Sequence, residues 1–113
     1  MRPKNPTPYF IDAARARLII AAVAIEFGVP EADIIAPLKG PSQISYARQV
    51  SMYLMCCTFN STKSRVADIF GRHFSTVSHA CTVIEDQRDD PVLDGKLLLL
   101  ENFLQHMPEV QVS

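Results

Sequence analysis

The sequence predicts an all-α domain of about six helices, and three observations carry that expectation. Apolar residues recur at helical spacing through most of the chain. Glycines, prolines and capping residues fall between those runs, where helices start and stop. No stretch alternates apolar and polar residues long enough for a sheet, and no internal repeat is visible.

Residues 1–11 read as a flexible arm, because Pro3, Pro6 and Pro8 crowd the first ten positions. Asp12 is expected to cap a helix that runs to Phe27, with Gly28 as its left-handed stop. Leu18, Ala21, Ala22 and Ile25 share one face of that helix and are its expected core contact. Pro30 and Glu31 suit the start of a short helix through Ile35. Pro37, Gly40 and Pro41 break the chain again, and Ser42 opens the next helix, Gln43 to about Phe59. Ile44, Ala47, Val50, Met52, Tyr53, Leu54, Met55 and Cys57 nearly encircle that helix, which marks it as the central one. Thr62 caps a short helix to Phe70, and Gly71-Arg72-His73-Phe74 forms a turn into a helix from about Ser75 to Arg88. Asp90-Pro91 restarts the chain for a last helix to about Met107, with Gly95 blurring its start. Leu97, Leu100, Phe103, Leu104 and Met107 form its expected core stripe, which leaves Leu98 and Leu99 pointing elsewhere. The domain itself is expected over residues 12–108.

At 113 residues the chain suits one domain with one core. Its 48% apolar and 20% charged content is ordinary for a globular protein. The longest apolar run, Leu18 to Ile25, has eight residues, far short of the roughly 20 that cross a bilayer. Met1 to Pro8 contains no apolar stretch of signal-peptide type, so a cytoplasmic protein without membrane contact is expected, nucleoid-associated if the motifs below bind DNA. Net charge is −1, but its distribution is uneven. Residues 1–72 hold nine Lys/Arg against five Asp/Glu, and residues 73–113 hold two against seven. Any DNA contact should therefore come from the first part and the turn that ends it. Cys56, Cys57 and Cys81 form no pairing framework and are expected to be buried, reduced thiols.

Two helices joined by a tight, glycine-bearing turn form a helix-turn-helix pattern between about Thr62 and Arg88. In its second helix Val77, Ala80, Cys81 and Ile84 face the core, and Ser75, Thr76, Ser78, His79 and Thr82 face outward. Short polar side chains of this kind suit close approach to base edges in a major groove.

Two stretches connect this pattern to a known family. Arg48-Gln49-Val50-Ser51-Met52-Tyr53-Leu54 resembles the A-R-Q-x-A-M-x-L helix of the C-terminal DNA-binding domain of the bacterial replication initiator DnaA. Val66 to Ile84, V-A-D-I-F-G-R-H-F-S-T-V-S-H-A-C-T-V-I, resembles the same domain's signature I-G-x-x-F-G-G-R-D-H-T-T-V-x-H-A-C-x-x-I. Ala24 to Pro37 is similar to the helices that precede them, so the resemblance covers about residues 15–105. It implies an all-α DNA-binding domain that takes double-stranded DNA. The chain also resembles stand-alone regulators, some of them the DNA-binding part of activators of phage-like gene-transfer-agent genes. Arg72 and Thr76 match their motif positions, and Ser75 nearly matches the first threonine. The turn is one glycine shorter, His73 replaces the aspartate, and Phe74 replaces the base-reading histidine. The basic loop before the central helix is reduced to Lys39, so the family's usual box is not the expected target.

On this reading Lys63, Arg65 and Arg72 contact phosphate, Ser75, Thr76 and His79 face the bases, and His73 joins the DNA-binding residues. Phe74 packs on the core or touches a thymine methyl, with the core as the first expectation. Arg48 reaches phosphate or forms a structural salt bridge. Arg2 and Lys4 lie on the arm, which is disordered or enters a minor groove. No metal-ligand or catalytic spacing occurs, and Cys81 and His79 lie on different faces of their helix. Neither enzyme activity nor a cofactor is expected. The pattern G-x-x-x-x-G-K-[ST] is absent, so no nucleotide is expected either. The leading expectation is a sequence-specific transcriptional regulator with a protein partner, such as the transcription machinery, on its C-terminal helix. The alternatives are an adaptor that kept the fold and lost DNA, and an origin-binding replication modulator.

Overall fold

Six α-helices follow one another in the computed structural model, which describes residues 8–37 and 40–106. They are α1 (Pro8–Phe27), α2 (Glu31–Ile35), α3 (Ser42–Thr58), α4 (Lys63–Phe70), α5 (Phe74–Gln87) and α6 (Pro91–Gln105). There is no strand among the described residues, in line with the all-α expectation.

The central position expected for α3 is what the fold shows, because this helix packs against each of the other five. Its buried residues run from Ile44 to Met55 and include Ala47, Val50, Met52, Tyr53 and Leu54. Around it stand Ile19 and Val23 of α1, Ile34 of α2, Val66 and Phe70 of α4, Val77 and Ile84 of α5, and Leu97 and Leu104 of α6. Removing side chains of this size from water contributes about 1.5–3 kcal/mol each, which is what holds the short helices in place.

The starts of α1 and α5 differ from the sequence-based expectation. Helix α1 begins at Pro8, so Asp12 lies inside it rather than at its cap. Proline is tolerated in a first helical turn, because no intrahelical hydrogen bond is needed there. The Asp12 carboxylate instead accepts from Ser61 Oγ at 3.2 Å and pairs with Arg65 at 3.1 Å and Arg15 at 3.7 Å. The remaining arm, with Arg2 and Lys4, lies outside the described residues, as do Lys39 and Met107. Helix α5 begins one residue earlier than expected, at Phe74.

The buried face of α1 is also rotated from the expected one. Ala16, Ile19, Ile20, Val23 and Ala24 are buried, whereas Ile25 is 84% exposed. Eight consecutive apolar residues make every face of the segment comparably hydrophobic, so spacing alone cannot choose the contact. On α6 the core stripe is Leu93, Leu97, Leu100 and Leu104, and Phe103 points outward. The Asp90 carboxylate caps this helix by accepting from Val92 N at 3.0 Å. The cysteines are free but not buried as expected: Cys56 and Cys81 are half-buried and Cys57 is exposed.

Candidate nucleic-acid interface

Helices α4 and α5 form the helix-turn-helix. Thr62 Oγ1 accepts from Arg65 N at 3.1 Å, so α4 starts with the expected side-chain cap. Gly71 ends it at φ 62°, a left-handed position that favours glycine, and its N–H returns to Ala67 and Asp68. Three residues after Phe70, His73 takes an extended conformation and α5 begins. The reversal is therefore fixed by backbone geometry, with Phe70 and Val77 buried on either side of it.

Val77, Ala80 and Ile84 are fully buried, and this triplet sets the rotation of α5. Ser75, Thr76, His79 and Thr82 are consequently exposed, and Ser78 is half-buried. Cys81 packs at the edge of the core. The first turn of α5 contains no acidic residue, and His73 makes no side-chain cap. Its leading N–H groups and the positive end of the helix dipole thus remain open to an anion such as phosphate. Gly71, Arg72, His73 and Thr76 line a shallow, open depression of about 340 Å³ at this end.

The basic residues are less available than the sequence suggests. Lys63 Nζ donates to Ser78 Oγ at 3.4 Å, a long contact that is easily exchanged. Arg65 pairs with Asp12 and lies 5.4 Å from the centre of the Tyr9 ring. Arg72 donates to the carbonyls of Phe70 at 3.0 Å and Ala36 at 2.8 Å. Arg48 is 4% exposed and donates to the carbonyls of Ile34 at 2.6 Å and Asp33 at 2.8 Å. Burial, and then the charge of Arg72, push the Arg48 guanidinium below its ordinary pKa. The expectation that Arg48 reaches phosphate does not match this burial. Its guanidinium instead serves backbone carbonyls that the end of α2 leaves without helical donors. Arg48 thereby fastens α2 to α3, and Arg72 fastens the end of α2 to the turn between α4 and α5. Among the predicted residues, the structure gathers Arg72, His73, Ser75, Thr76 and His79 around the start of α5.

The core is not where Phe74 lies: contrary to the first expectation, it is 55% exposed at the first position of α5. Helical projection does not reveal this, since Phe74 falls about 20° from Cys81 and about 60° from Val77 but about 120° from Ala80. At the opposite end of α5 a different chemistry prevails. Arg88 pairs with Asp94 at 2.6 Å and Glu101 at 3.0 Å, and donates to Tyr53 Oη at 3.0 Å. Tyr53 in turn donates to Glu85. The network joins α3, α5 and α6. Asp86, Asp89 and Asp90 gather around Tyr46 in and just after the last turn of α5, at the end of that helix opposite the turn.

The half-buried Cys81 thiol is drawn below its ordinary pKa by the neighbouring Cys56, against the opposing effect of burial, and Lys63 adds to the lowering. No three or more His, Cys, Asp or Glu side chains come together as a metal site among the described residues. No helix among those residues is long and apolar enough to cross a membrane.

Comparison with known proteins agrees with this geometry. Residues 16–84, more than half of the chain, match the family described as the bacterial dnaA protein helix-turn-helix. The chain is also similar to the chromosomal replication initiator protein DnaA of Bifidobacterium animalis subsp. lactis (strain AD011), at 37% identity over 73 residues. That alignment covers 64% of this chain and 12% of the relative, so the chain corresponds to a small part of the initiator's length. From the turn at Gly71 through the exposed face of α5, sequence and geometry converge: this chain belongs to the bacterial DnaA helix-turn-helix family, a family of DNA-binding domains.

Proposed function

We propose that this chain is a sequence-specific double-stranded DNA binder that acts as a transcriptional regulator, with phage-like or gene-transfer-agent genes among its targets. The observation that carries the reading is the exposed Ser75, Thr76, His79 and Thr82 face, held in register by the fully buried Val77, Ala80 and Ile84. Hydroxyls and an imidazole on a fixed helix can meet base edges, while Lys63, Arg72 and the open end of α5 meet phosphate. Arg65 joins them if phosphate displaces Asp12 from it. His73 and Phe74 depart from the family signature, so the preferred site differs from the usual DnaA box.

A protein partner, the transcription machinery in this reading, docks on the outer side of α6. There Val92, Leu98, Leu99 and Phe103 are each more than half exposed. The same surface favours the second reading, an adaptor that binds protein and not DNA. Mapping the genomic sites bound by the chain separates the readings. Sites at promoters support the regulator, sites at an origin support a replication modulator, and no sites support the adaptor. Affinity for a recovered site should fall steeply between low and moderate salt, because phosphate contacts release counterions.

A further inference from the structure

The described residues of α4 and α5 include one large apolar side chain that is exposed, and it is Phe74. Around it the outward surface of α5 consists of serine, threonine and histidine. The core beneath is already filled by Phe70 and Val77, each 2% exposed or less, so Phe74 closes no gap there. Nor does it serve the helix end, since a phenyl ring supplies no hydrogen-bond acceptor for the open N–H groups. Its position is the first residue of a recognition helix, the region that enters the major groove in helix-turn-helix complexes. Among the base edges of that groove, the apolar feature is the thymine C5-methyl group.

We propose that Phe74 is a specificity-determining residue that selects a thymine, through contact of its ring with the thymine methyl. The inference rests on the DNA-binding reading above and adds the chemical identity of one base. Helical geometry puts Phe74 and Ser78 on the same flank of α5, about 60° and about 100° from Val77, and puts Thr76 on the other flank. Lys63, which touches Ser78, places its cation on the Phe74 flank. Phe74 therefore meets a base near the strand whose phosphates Lys63 approaches, and Thr76 meets a base towards the opposite strand. A ring offers no polar group to either partner of the pair, so the discrimination lies in the methyl itself.

The experiment uses the full chain and duplexes selected from a random double-stranded pool. In the best-bound duplex each thymidine is replaced singly by deoxyuridine, which removes the methyl and leaves the pairing edge intact. At one position the replacement should weaken wild-type binding about fourfold, the effect of burying one methyl-sized group. Phe74→Ala should bind the thymidine duplex more weakly and should not respond to deoxyuridine at that position. Phe74→Leu, which keeps an apolar group, should respond in part. Melting curves of the variants should match wild type closely, because the side chain is largely exposed. Wild-type binding that ignores deoxyuridine at every position overturns the inference, as does an equal loss in wild type and Phe74→Ala. In either case salt-sensitive binding to the duplex survives, and only the methyl contact is lost. A chain that enriches no duplex overturns both this inference and the reading on which it rests.

Discussion

The two ends of α5 are built on opposite principles. At Arg88 the helix is locked: one guanidinium joins two carboxylates and a phenol drawn from α3 and α6, and its side chain is 17% exposed. At Phe74 the helix is open, with no side-chain cap, no acidic residue in its first turn and an exposed ring. A helix that must present side chains to a partner needs a fixed axis and an unoccupied tip. The closed end supplies the axis, and the buried Val77, Ala80 and Ile84 supply the rotation. What the difference teaches is that charge near a helix-turn-helix is not all alike. Some of it organises the domain, and little of it stands free.

Disabling the locked end should have the largest effect. Arg88→Ala removes the cation that Glu101 and Asp94 share and the donor to Tyr53 Oη, and should destabilise the fold by about 2–4 kcal/mol in denaturant unfolding. Arg88→Lys should recover only part of this, since an ammonium cannot reproduce the fork that Asp94, Glu101 and Tyr53 share. At the open end, Thr76→Ala should leave the melting midpoint almost unchanged and weaken binding to the preferred duplex by about 1–3 kcal/mol, with scrambled duplex little affected. Arg72→Ala should do both kinds of damage. It should lower affinity for all duplexes and also lower the melting midpoint, because Arg72 holds the carbonyls of Phe70 and Ala36. A Thr76→Ala protein that melts early would place that residue in the framework and blur the distinction between the ends.

The smallest effect concerns pH. Burial and the hydrogen bond to Glu85 push the Tyr53 hydroxyl above its ordinary 10.0, so the folded chain holds that proton more tightly than the unfolded chain. The corresponding stability is fully present below pH 10.0 and is lost as pH rises beyond it. Unfolding free energies measured from about pH 8 to 11 should fall more steeply for wild type than for Tyr53→Phe. Equal slopes would remove Tyr53 from the locked end.

Much of this architecture was legible in the residues. The Thr62 cap, the Gly71 stop and the Val77, Ala80, Ile84 spacing all describe local geometry that sequence alone specifies. The central place of α3 followed from its apolar circumference. The phase of α1 was not legible, because its long apolar run offers several equivalent faces and only packing selects one. The fate of the arginines was equally hidden. Whether Arg48 faces solvent or the carbonyls of Asp33 and Ile34 depends on where α2 ends in space, a fact that no spacing within α3 contains. Phe74 was open to the opposite error: hydrophobicity and its place on the Cys81 side of α5 suggested burial, and its exposure depends on the helix starting there, at the end of the core contact.

The clasp at Asp12 has a consequence for the order of events when the chain folds. It ties α1 to Arg65 across 53 residues of sequence, while Thr62 reaches Arg65 across three and Lys63 reaches Ser78 across 15. Closing the longer loop loses more chain entropy, so the helix-turn-helix can assemble before the clasp does. Interactions that form after the rate-limiting step slow unfolding and leave the folding rate nearly untouched. The clasp thus acts as a late latch. In local fluctuations the first turns of α1 should therefore release ahead of α5.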